Sequence, residues 1–271
     1  MDYFALFKKA EAIVFQAGQA ILTEMNHLQV DCKGVSNYVT NLDVATQRRL
    51  VADLTQLLPG CGFICEENTE IPAGREQSAV WVIDPVDGTT NLMHRFPAFT
   101  ISVALMVENV LQLGFVYNPS REEMFSAQKG VGSFLNGSPI HVSSHKELAH
   151  SLLAMGMPYD RALSAVILNA AGEMVLRCQD LRRTGSAAYE LACIACGRVD
   201  GFFEINLNPW DVAAGMLLVE EAGGSVVRWD GSAGHCLKSN QILASNGLIQ
   251  NELVQVASQF LEQIKGHLTQ Y

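Results

Sequence analysis

The segment Ala79-Val-Trp-Val-Ile-Asp84-Pro-Val-Asp87-Gly-Thr-Thr-Asn91 guides the interpretation of the rest of the chain. Its first five residues are apolar and favour β-structure, which predicts a buried strand. The strand ends in two carboxylates, Asp84 and Asp87, within a turn that contains Pro85 and Gly88. Two acids at the end of a buried strand repel each other and lose hydration, so they favour a bound cation. Oxygen ligands of this kind suit a hard ion such as Mg²⁺.

Other acids in comparable positions support a cation site over the alternative that Asp84 and Asp87 only form a turn. Glu66 follows the apolar run 62–65, which indicates a second strand. Asp211 opens a helix, where it could also serve as an N-cap. Ligand sites in layered α/β folds gather where strand and helix ends converge. We therefore expect these four acids to share one cleft and to hold more than one divalent cation.

The length and composition indicate one compact unit. The chain has 271 residues, of which 49% are hydrophobic, and its eight prolines and 22 glycines are scattered. We expect a single domain over residues 1–271, with an N-terminal lobe of about 1–150 and a C-terminal lobe of about 151–271 that share a cleft. Alternating helix and strand patterns in the second half favour a layered α/β fold.

The charge and the N-terminal sequence restrict the possible partners. The net charge is −10, and Lys and Arg form no long run, which argues against a broad basic face for nucleic acid. The first residues lack the basic region and apolar core of a signal peptide. No apolar run approaches the roughly 20 residues of a membrane span. We expect a cytoplasmic protein that binds neither nucleic acid nor membranes.

The cysteines predict no disulfide framework, since seven is an odd number in a chain of this size. Cys193-Ile-Ala-Cys196 could be redox-active or bind zinc, but it lies in a helical pattern and no second pair occurs at zinc spacing. Two buried helical thiols are the better interpretation, because free Cys behaves mainly as a small core residue.

Hydrophobic periodicity predicts the order of the other elements. Helices are expected over residues 2–25, 41–58, 160–178, 186–197, 210–222 and 248–268. Strands are expected over residues 62–65, 79–83, 99–107, 110–117, 123–127, 151–155, 199–205, 225–229 and 241–245. The segment 26–40 is expected to be irregular, and the segment 181–185 is expected to turn into the helix that starts near Ser186.

The motifs around the acids resemble the metal-binding motifs of the inositol monophosphatase family. The matching segments, in the expected order, are Glu66-Glu67, Asp84-Pro-Val-Asp87-Gly-Thr-Thr-Asn91 and Trp210-Asp211-Val-Ala-Ala-Gly215. The similarity begins in the first helix and extends beyond Gly224, so it covers nearly the whole chain. The resemblance implies an αβαβα layered sandwich of the sugar-phosphatase type, dependence on Mg²⁺, sensitivity to Li⁺ and, commonly, a homodimer.

The resemblance also implies which residues hold the two or three Mg²⁺ ions of each site. Glu66, Asp84 and the Val86 carbonyl would hold the first ion. Asp84, Asp87 and Asp211 would hold the second. Glu66 would also contribute to a weaker third site.

By the same resemblance, residues next to the metals would act on water and phosphate. Thr89, with Asp43 behind it or Glu66 beside it, would orient the attacking water. Asp43 could instead only complement the dipole of the helix that it begins. The amides of Gly88 and Thr89 would hold the phosphate.

The remaining substrate contacts are predicted from the same family. They are Asp87, Gly88, Thr89, Arg182, Gly185, Ser186, Ala187, Glu204 and Asp211. Glu204 would accept hydrogen bonds from a sugar or cyclitol hydroxyl, or it could be an exposed acid at the end of a strand. Lys33 lies in a loop that resembles the mobile lid of the family, although a solvated lysine is the alternative. Arg182-Arg183-Thr184-Gly185 resembles the bacterial branch.

These residues predict hydrolysis of a small phosphate monoester by metal-activated water, with myo-inositol 1-phosphate as the first choice. Fructose-1,6-bisphosphate, histidinol phosphate and 3′-phosphoadenosine 5′-phosphate are the alternative substrates. A regulatory binding protein with the same fold is the non-enzymatic alternative, but four mutually repelling carboxylates argue against it. The stretch at Asp84 lacks the Asp-x-Asp-x-Asp-Gly spacing of an EF-hand, which excludes a structural calcium module of that type.

Overall fold

Helices and sheets alternate in five layers in the computed structural model, which describes residues 2–34, 37–67, 77–235 and 241–264. The expected αβαβα sandwich is therefore confirmed. The helices of these ranges are α1 Tyr3–Glu24, α2 Asn41–Leu57, α3 Thr89–Met93, α4 Ser164–Val175, α5 Ala187–Ala195, α6 Pro209–Glu221, α7 Gln250–Ala257 and α8 Leu261–Ile264. The strands of these ranges are β1 Val30–Gly34, β2 Asn37–Thr40, β3 Gly62–Cys65, β4 Ala79–Asp87, β5 Thr100–Val107, β6 Val110–Asn118, β7 Glu123–Gln128, β8 Gly132–Leu135, β9 Ser138–Ile140, β10 Leu152–Met155, β11 Asp180–Arg182, β12 Gly201–Ile205, β13 Ser225–Val227 and β14 Gln241–Ser245.

The larger sheet takes its strands from residues 62–140. Its order is β3-β4-β5-β6-β7-β8-β9, in which β3 and β4 are parallel and the other neighbours are antiparallel. Every residue of β4 is buried, since helices cover both faces of the sheet. This burial explains why the sequence of β4 is a continuous apolar run and not an alternating one.

The smaller sheet takes its strands from residues 152–245. Its order is β11-β10-β12-β14-β13. β10 is parallel to both of its neighbours, whereas β14 is antiparallel to both β12 and β13. The proposed division into lobes near residue 150 stays a prediction.

Apolar side chains of the described residues form cores between these layers. One core joins α1 and α2 to the larger sheet and contains Trp81 and Phe115. A second core surrounds α5 and α6, which lie between the two sheets. A third joins α4 and α7 to the smaller sheet. Full burial of a side chain such as Phe115, which is 0% exposed, contributes roughly 1.5–3 kcal/mol to folding.

The middle helices are mostly apolar because they are covered from both directions. Each residue of α5 is buried, including Cys193, and a helix of that kind belongs inside a protein. Burial raises the pKa of the Cys193 thiol to about 12. Cys193 and Cys196 are both free thiols, and the high pKa makes Cys193 a poor nucleophile.

Two segments in which no strand was expected contain strands. In the segment 26–40, β1 and β2 form an antiparallel hairpin whose ends are tied where Asn41 donates to the Gln29 carbonyl over 3.1 Å. In the segment 181–185, β11 extends the smaller sheet at its edge. Both strands were missed because they are short and polar, so no apolar run marks them. Lys33 belongs to β1, but its side chain lies outside the described part of the structure.

Two predicted helices are shorter than expected. The expected helix 160–178 starts with a 3₁₀ turn at Arg161–Leu163, and α4 itself begins at Ser164. The expected helix 248–268 consists of α7, a 3₁₀ turn and α8, while residues 265–268 lie outside the described ranges. Within the described residues, no helix combines the length and apolarity that crossing a membrane requires.

Candidate active site

A β-bulge in β4 turns Asp84 and Asp87 toward the same cavity. Asp84 pairs with Ser102 of β5 and Asp87 pairs with Thr100, so β4 carries one extra residue between the two pairs. Residues three apart in a regular strand point to opposite faces, and one extra residue cancels that difference. Pro85 lies inside the bulge, where a residue without an N–H does not interrupt the ladder.

Gly88 allows the chain to turn sharply from β4 into α3. Its φ is +89°, in the left-handed region. A Cβ atom at this position would lie 3.1 Å from the Ala98 carbonyl oxygen and 3.3 Å from the Gly185 carbonyl oxygen. The turn therefore needs glycine for its conformation and for its crowded surroundings, and it brings Thr89 to the cavity.

Carboxylates from distant elements line one cavity of about 660 Å³. The acids that line it are Glu66, Asp84, Asp87, Glu190, Glu204 and Asp211. They come from the end of β3, from β4, from α5, from β12 and from the start of α6. The cavity thus forms where strand and helix ends of both sheets converge, as expected for layered α/β folds. Arg161 and Arg183 also line it and supply positive charge.

Burial and mutual repulsion change the acidity of the carboxylates. Burial, together with the charges of Glu66, Asp87 and Asp211, raises the pKa of Asp84 well above its ordinary value. Burial raises the pKa of Asp87 to about 6 and the pKa of Asp211 to about 7. A nearby positive charge stabilises the ionised form of such carboxylates, because it compensates for their lost hydration and their mutual repulsion.

The chemistry of this donor set fits a divalent cation. All the donors are hard oxygen atoms, which Mg²⁺ prefers. In the described part of the chain, no group of three or more acid, His or Cys side chains is gathered tightly enough to hold an ion as the side chains stand. A bound cation would therefore draw the carboxylates together, and the charge of the cation would offset their repulsion.

Asp87 connects β4 to the start of α5 at the cavity. Its Oδ2 atom accepts hydrogen bonds from the Ser186 hydroxyl and from the Ala188 amide, each over 2.7 Å. The Ser186 oxygen also accepts from the Tyr189 amide and so caps the start of α5. These bonds bring the segment Gly185-Ser186-Ala187 to the site.

Asp43 supports Thr89 from behind. The Thr89 hydroxyl lies 3.0 Å from Asp43 Oδ1 and 3.1 Å from the Val86 carbonyl oxygen, and its single proton can serve one acceptor at a time. The Thr40 amide donates to Asp43 Oδ2 over 2.9 Å, which caps α2. Asp43 is 0% exposed, and burial raises its pKa. Asp43 therefore both caps its helix and contacts Thr89.

Asp211 is held at the start of α6 by hydrogen bonds with two residues, Asn208 and Tyr159. The Asn208 amide donates to Oδ2 over 2.7 Å, which completes the first turn of the helix. The Tyr159 hydroxyl donates to Oδ1 over 3.1 Å. Each oxygen of this carboxylate thus has a protein partner.

Glu204 is a buried acid of the cavity and not an exposed acid at a strand end. It is 6% exposed, and burial raises its pKa well above the ordinary value. A Cβ atom at Gly156 would lie 1.8 Å from Glu204 Oε2. The Glu204 carboxylate therefore occupies space that only glycine at position 156 leaves open.

The family profile described as the inositol monophosphatase family matches residues 4–263. The chain belongs to the inositol monophosphatase family. It is 39% identical over 255 residues to the inositol monophosphatase of Dictyostelium discoideum, covering 91% of this chain and 92% of that protein. As a member of this family, the protein is a phosphoric monoester hydrolase.

Two further relatives carry a different name. The Nus factor SuhB of Escherichia coli K12 is 38% identical over 234 residues, which cover 86% of this chain and 87% of that protein. The crystal structure of the extragenic suppressor protein suhB from Bartonella henselae superposes with a TM-score of 0.87 and 33% identity, over 96% of this chain and 99% of that chain. The fold of this phosphatase is therefore shared along nearly its whole length.

Most of the site residues predicted from the sequence lie around the cavity. They are Glu66, Asp84, Val86, Asp87, Gly88, Thr89, Gly185, Ser186, Ala187, Glu204 and Asp211. Arg182 does not belong to this lining, so its placement is corrected. Its half-exposed side chain pairs with Asp180, whereas the next residue, Arg183, lines the cavity. Side chains of successive residues in an extended segment point to opposite sides, which explains why Arg183 lines the cavity and Arg182 does not.

Asn91, Glu190 and Tyr159 are among the lining residues that had not been assigned a role from the sequence. Asn91 donates from Nδ2 to the carbonyls of Ala98, over 2.6 Å, and Thr184, over 2.9 Å. Glu190 accepts from the Thr184 amide over 2.7 Å, and an acid inside the apolar helix α5 was the available signal. Tyr159 lies between β10 and α4, where no motif marks it.

Proposed function

We propose that this phosphatase hydrolyses myo-inositol 1-phosphate in a reaction that depends on Mg²⁺. The observation that carries the proposal is the convergence of Glu66, Asp84, Asp87 and Asp211 on one cavity. Four carboxylates in one cavity repel each other, and bound cations would offset this repulsion. Cations would also neutralise the charge of a phosphate monoester. The relatives that are named inositol monophosphatases support the choice of substrate.

The proposed ligands follow the family motif. Glu66, Asp84 and the Val86 carbonyl would hold the first Mg²⁺, and Asp84, Asp87 and Asp211 the second, with Glu66 contributing to a weaker third. When bound, such ions lower the pKa of a water molecule and stabilise the leaving oxygen. The hydrogen bonds of Asp84 Oδ1 with the Val86 amide and of Asp87 Oδ2 with Ser186 orient these carboxylates.

Thr89 and Asp43 are the proposed residues that orient the attacking water. When the Thr89 hydroxyl donates to Asp43, its oxygen accepts a hydrogen bond from water. Glu66 lines the same cavity and is the alternative partner for this water. The amides of Gly88 and Thr89 are proposed to bind the phosphate.

Glu204 is proposed to bind the polyol. It would accept hydrogen bonds from hydroxyl groups of the cyclitol ring, while Ser186 and Ala187 line the same cavity. The burial of Glu204 favours this role, because a buried carboxylate gains from each donor that the substrate supplies. Arg183 contributes positive charge at this surface.

Replacement of Asp84 by Asn tests the metal proposal. The substitution removes ligand charge but no volume, so we expect loss of Mg²⁺-dependent turnover with an unchanged fold by circular dichroism. Asp53→Asn, in an exposed pair with Arg49 on α2, is the control and should keep full activity. An active Asp84→Asn enzyme would contradict the ligand assignment.

A panel of substrates tests the choice of myo-inositol 1-phosphate. The panel contains fructose-1,6-bisphosphate, histidinol phosphate and 3′-phosphoadenosine 5′-phosphate, each measured as kcat/KM with and without Mg²⁺. We expect the highest value with myo-inositol 1-phosphate. Faster hydrolysis of another ester would replace the substrate, and the absence of Mg²⁺-dependent hydrolysis of all four would favour a regulatory binding role.

We also propose a homodimer that is inhibited by Li⁺. The outward face of α4 supports the dimer, because Leu168 is 55%, Val175 51% and the following Leu176 80% exposed. Light scattering after gel filtration should give twice the monomer mass of 29.5 kDa, and Leu176→Asp should lower it. The proposed inhibition by Li⁺ is tested by measuring activity in LiCl, with NaCl as the control.

A further inference from the structure

Tyr159 reaches the acidic cavity from outside the family motifs. It lies between β10 and α4, and 47% of its surface is exposed. Its hydroxyl nevertheless donates to Asp211 Oδ1 over 3.1 Å. A tyrosine at the wall of a cavity can therefore act on a buried carboxylate without burying its whole ring.

The segment that carries Tyr159 is anchored at the next residue, Asp160. The Asp160 amide donates to the side-chain oxygen of Asn206 over 2.7 Å. The Asp160 carboxylate accepts from the Ala162 amide over 2.9 Å and caps the 3₁₀ turn that precedes α4. Asn206 belongs to the connection between β12 and α6, which also leads to Asp211. The contact of Asp160 with Asn206 thus ties the segment that carries Tyr159 to the connection that leads to Asp211.

We propose that Tyr159 is a positioning residue that orients Asp211 for Mg²⁺ binding. The inference rests on the proposed function, in which Asp211 is a metal ligand. The Asn208 amide fixes Oδ2 and the Tyr159 hydroxyl fixes Oδ1, so the carboxylate cannot rotate freely about its last bond. A hydrogen bond to a metal-binding carboxylate uses one lone pair and leaves another directed to the ion.

Loss of the hydroxyl should weaken Mg²⁺ binding while the fold is kept. Tyr159→Phe removes one oxygen atom and preserves the ring. Asp211 then loses the Tyr159 donor and keeps its hydrogen bonds with Asn208, and its Oδ1 atom can turn away from the ligating orientation. Loss of such an outer hydrogen bond typically weakens metal binding about 10–100-fold, which is the expected change in the Kd for Mg²⁺.

Tyr189 provides a matched control in the same chain. Its hydroxyl also donates to a carboxylate, that of Glu123, over 3.1 Å. Glu123 does not line the cavity that holds the acidic cluster. Tyr189→Phe therefore removes a hydroxyl–carboxylate bond of equal length without touching a proposed ligand, and it should leave Mg²⁺ binding unchanged.

Calorimetric titration of Mg²⁺ into the substrate-free protein is the deciding measurement. The wild type and Tyr189→Phe should bind with the same Kd, and Tyr159→Phe should bind about 10–100-fold more weakly. Equal Kd values for wild type and Tyr159→Phe would overturn the role of Tyr159 alone. A wild type that binds no Mg²⁺ would overturn both the role of Tyr159 and the proposed function.

The dependence of activity on Mg²⁺ separates positioning from a general structural role. If the hydroxyl only orients a ligand, raising the Mg²⁺ concentration should restore the kcat of Tyr159→Phe to near the wild-type value, with the KM for substrate unchanged. A defect of kcat that persists at saturating Mg²⁺ would contradict the proposal. Thermal unfolding in the presence of a chelator should give similar Tm values for Tyr159→Phe and the wild type.

Discussion

The Thr89 hydroxyl at the start of α3 lies 3.0 Å from the Asp43 carboxylate near the start of α2, although the residues are 46 positions apart in the chain. Asp43 is fully buried and uses both oxygens, because Oδ2 accepts from the Thr40 amide while Oδ1 faces Thr89. The capping interaction of one helix thereby fixes the orientation of a hydroxyl in the active site.

Asp43→Asn should lower kcat while the protein still folds. An Asn side chain offers one acceptor oxygen, so its amide group must face either the Thr40 amide, which only donates, or the Thr89 hydroxyl, which could then no longer donate to residue 43. We expect kcat to fall about 10²–10⁴-fold, the usual contribution of a group that positions or accepts a proton. A loss of about 1 kcal/mol in the free energy of unfolding should accompany it, because the cap is weakened.

Steady-state kinetics and urea unfolding measure the two effects of Asp43→Asn separately. A further variant pair isolates the hydroxyl: Thr89→Ser keeps it and should stay active, whereas Thr89→Val removes it and should behave like Asp43→Asn. Wild-type kcat in Thr89→Val would show that the hydroxyl does not take part in the reaction.

Gly88→Ala should be more damaging than glycine replacement at another left-handed position. Gly88 has a φ of +89°, and Gly60 has a φ of +81°. A Cβ at Gly88 would crowd the carbonyls of Ala98 and Gly185, whereas nothing lies within 4 Å of a Cβ at Gly60. In both variants the left-handed backbone costs roughly 1 kcal/mol of stability. In Gly88→Ala the close contacts of the added Cβ with the two carbonyls destabilise the protein further.

Denaturant unfolding and kcat/KM test this comparison. Gly60→Ala should lose stability and keep its activity, since it lies between α2 and β3, away from the cavity. Gly88→Ala should lose more stability and also most of its activity, because the turn positions Thr89. Equal stability losses in both variants would show that the neighbouring carbonyls give way without cost.

The sequence predicted the elements that depend on continuous apolar runs. The strand at Ala79 and the helix at Pro209 were recognised because burial on both sides leaves a local signal in the residues themselves. The chemical nature of the acidic set was also visible, since carboxylates directly follow such elements. That these carboxylates would meet in one cavity could be inferred because strand and helix ends converge at the ligand sites of layered α/β folds.

Other features of the site depend on contacts that no local pattern encodes. The β-bulge that turns Asp84 and Asp87 to one side is a matter of register with β5. Tyr159 was not identified from the sequence, because its contact with Asp211 depends on a loop that follows a strand of the smaller sheet. The hairpin of β1 and β2 was missed since its strands are polar and short.

Gly156→Ala should displace the Glu204 carboxylate and so test its proposed contact with substrate. The added Cβ would lie 1.8 Å from Glu204 Oε2, which is the mobile end of the side chain. The fold can therefore adapt by moving the carboxylate. We expect KM for myo-inositol 1-phosphate to rise about tenfold, the effect of losing roughly 1.4 kcal/mol of substrate binding.

Two comparisons make the Gly156→Ala result specific. Gly172→Ala lies in α4, where nothing is within 4 Å of the added atom, and it should leave KM unchanged. Glu204→Gln removes the charge but keeps the volume, and it should raise KM in the same direction. An unchanged KM in both Gly156→Ala and Glu204→Gln would remove Glu204 from the substrate site.

The ion pair of Glu123 and Arg198 should stabilise the fold at neutral pH and lose its effect in acid. Arg198 contacts both oxygens of Glu123, over 2.7 Å and 3.0 Å, and Tyr189 donates to the same carboxylate. Partial burial opposes ionisation, but the hydrogen bonds and the charge of Arg198 outweigh it, so the pKa of Glu123 lies below its ordinary value of 4.5. A carboxyl whose pKa is lower in the folded state stabilises the fold above its unfolded pKa, and this contribution disappears as the pH falls through the folded pKa.

Glu123→Gln should therefore reduce the free energy of unfolding at pH 7 by about 1 kcal/mol, a modest value because the pair is partly exposed. The difference from the wild type should shrink as the pH falls below about 4.5. Urea unfolding between pH 3 and pH 7 measures it, with the exposed neighbour Glu122→Gln as the control that should show no such dependence. A difference between wild type and Glu123→Gln that is the same at pH 3 and pH 7 would mean that packing, and not the charge of Glu123, stabilises this contact.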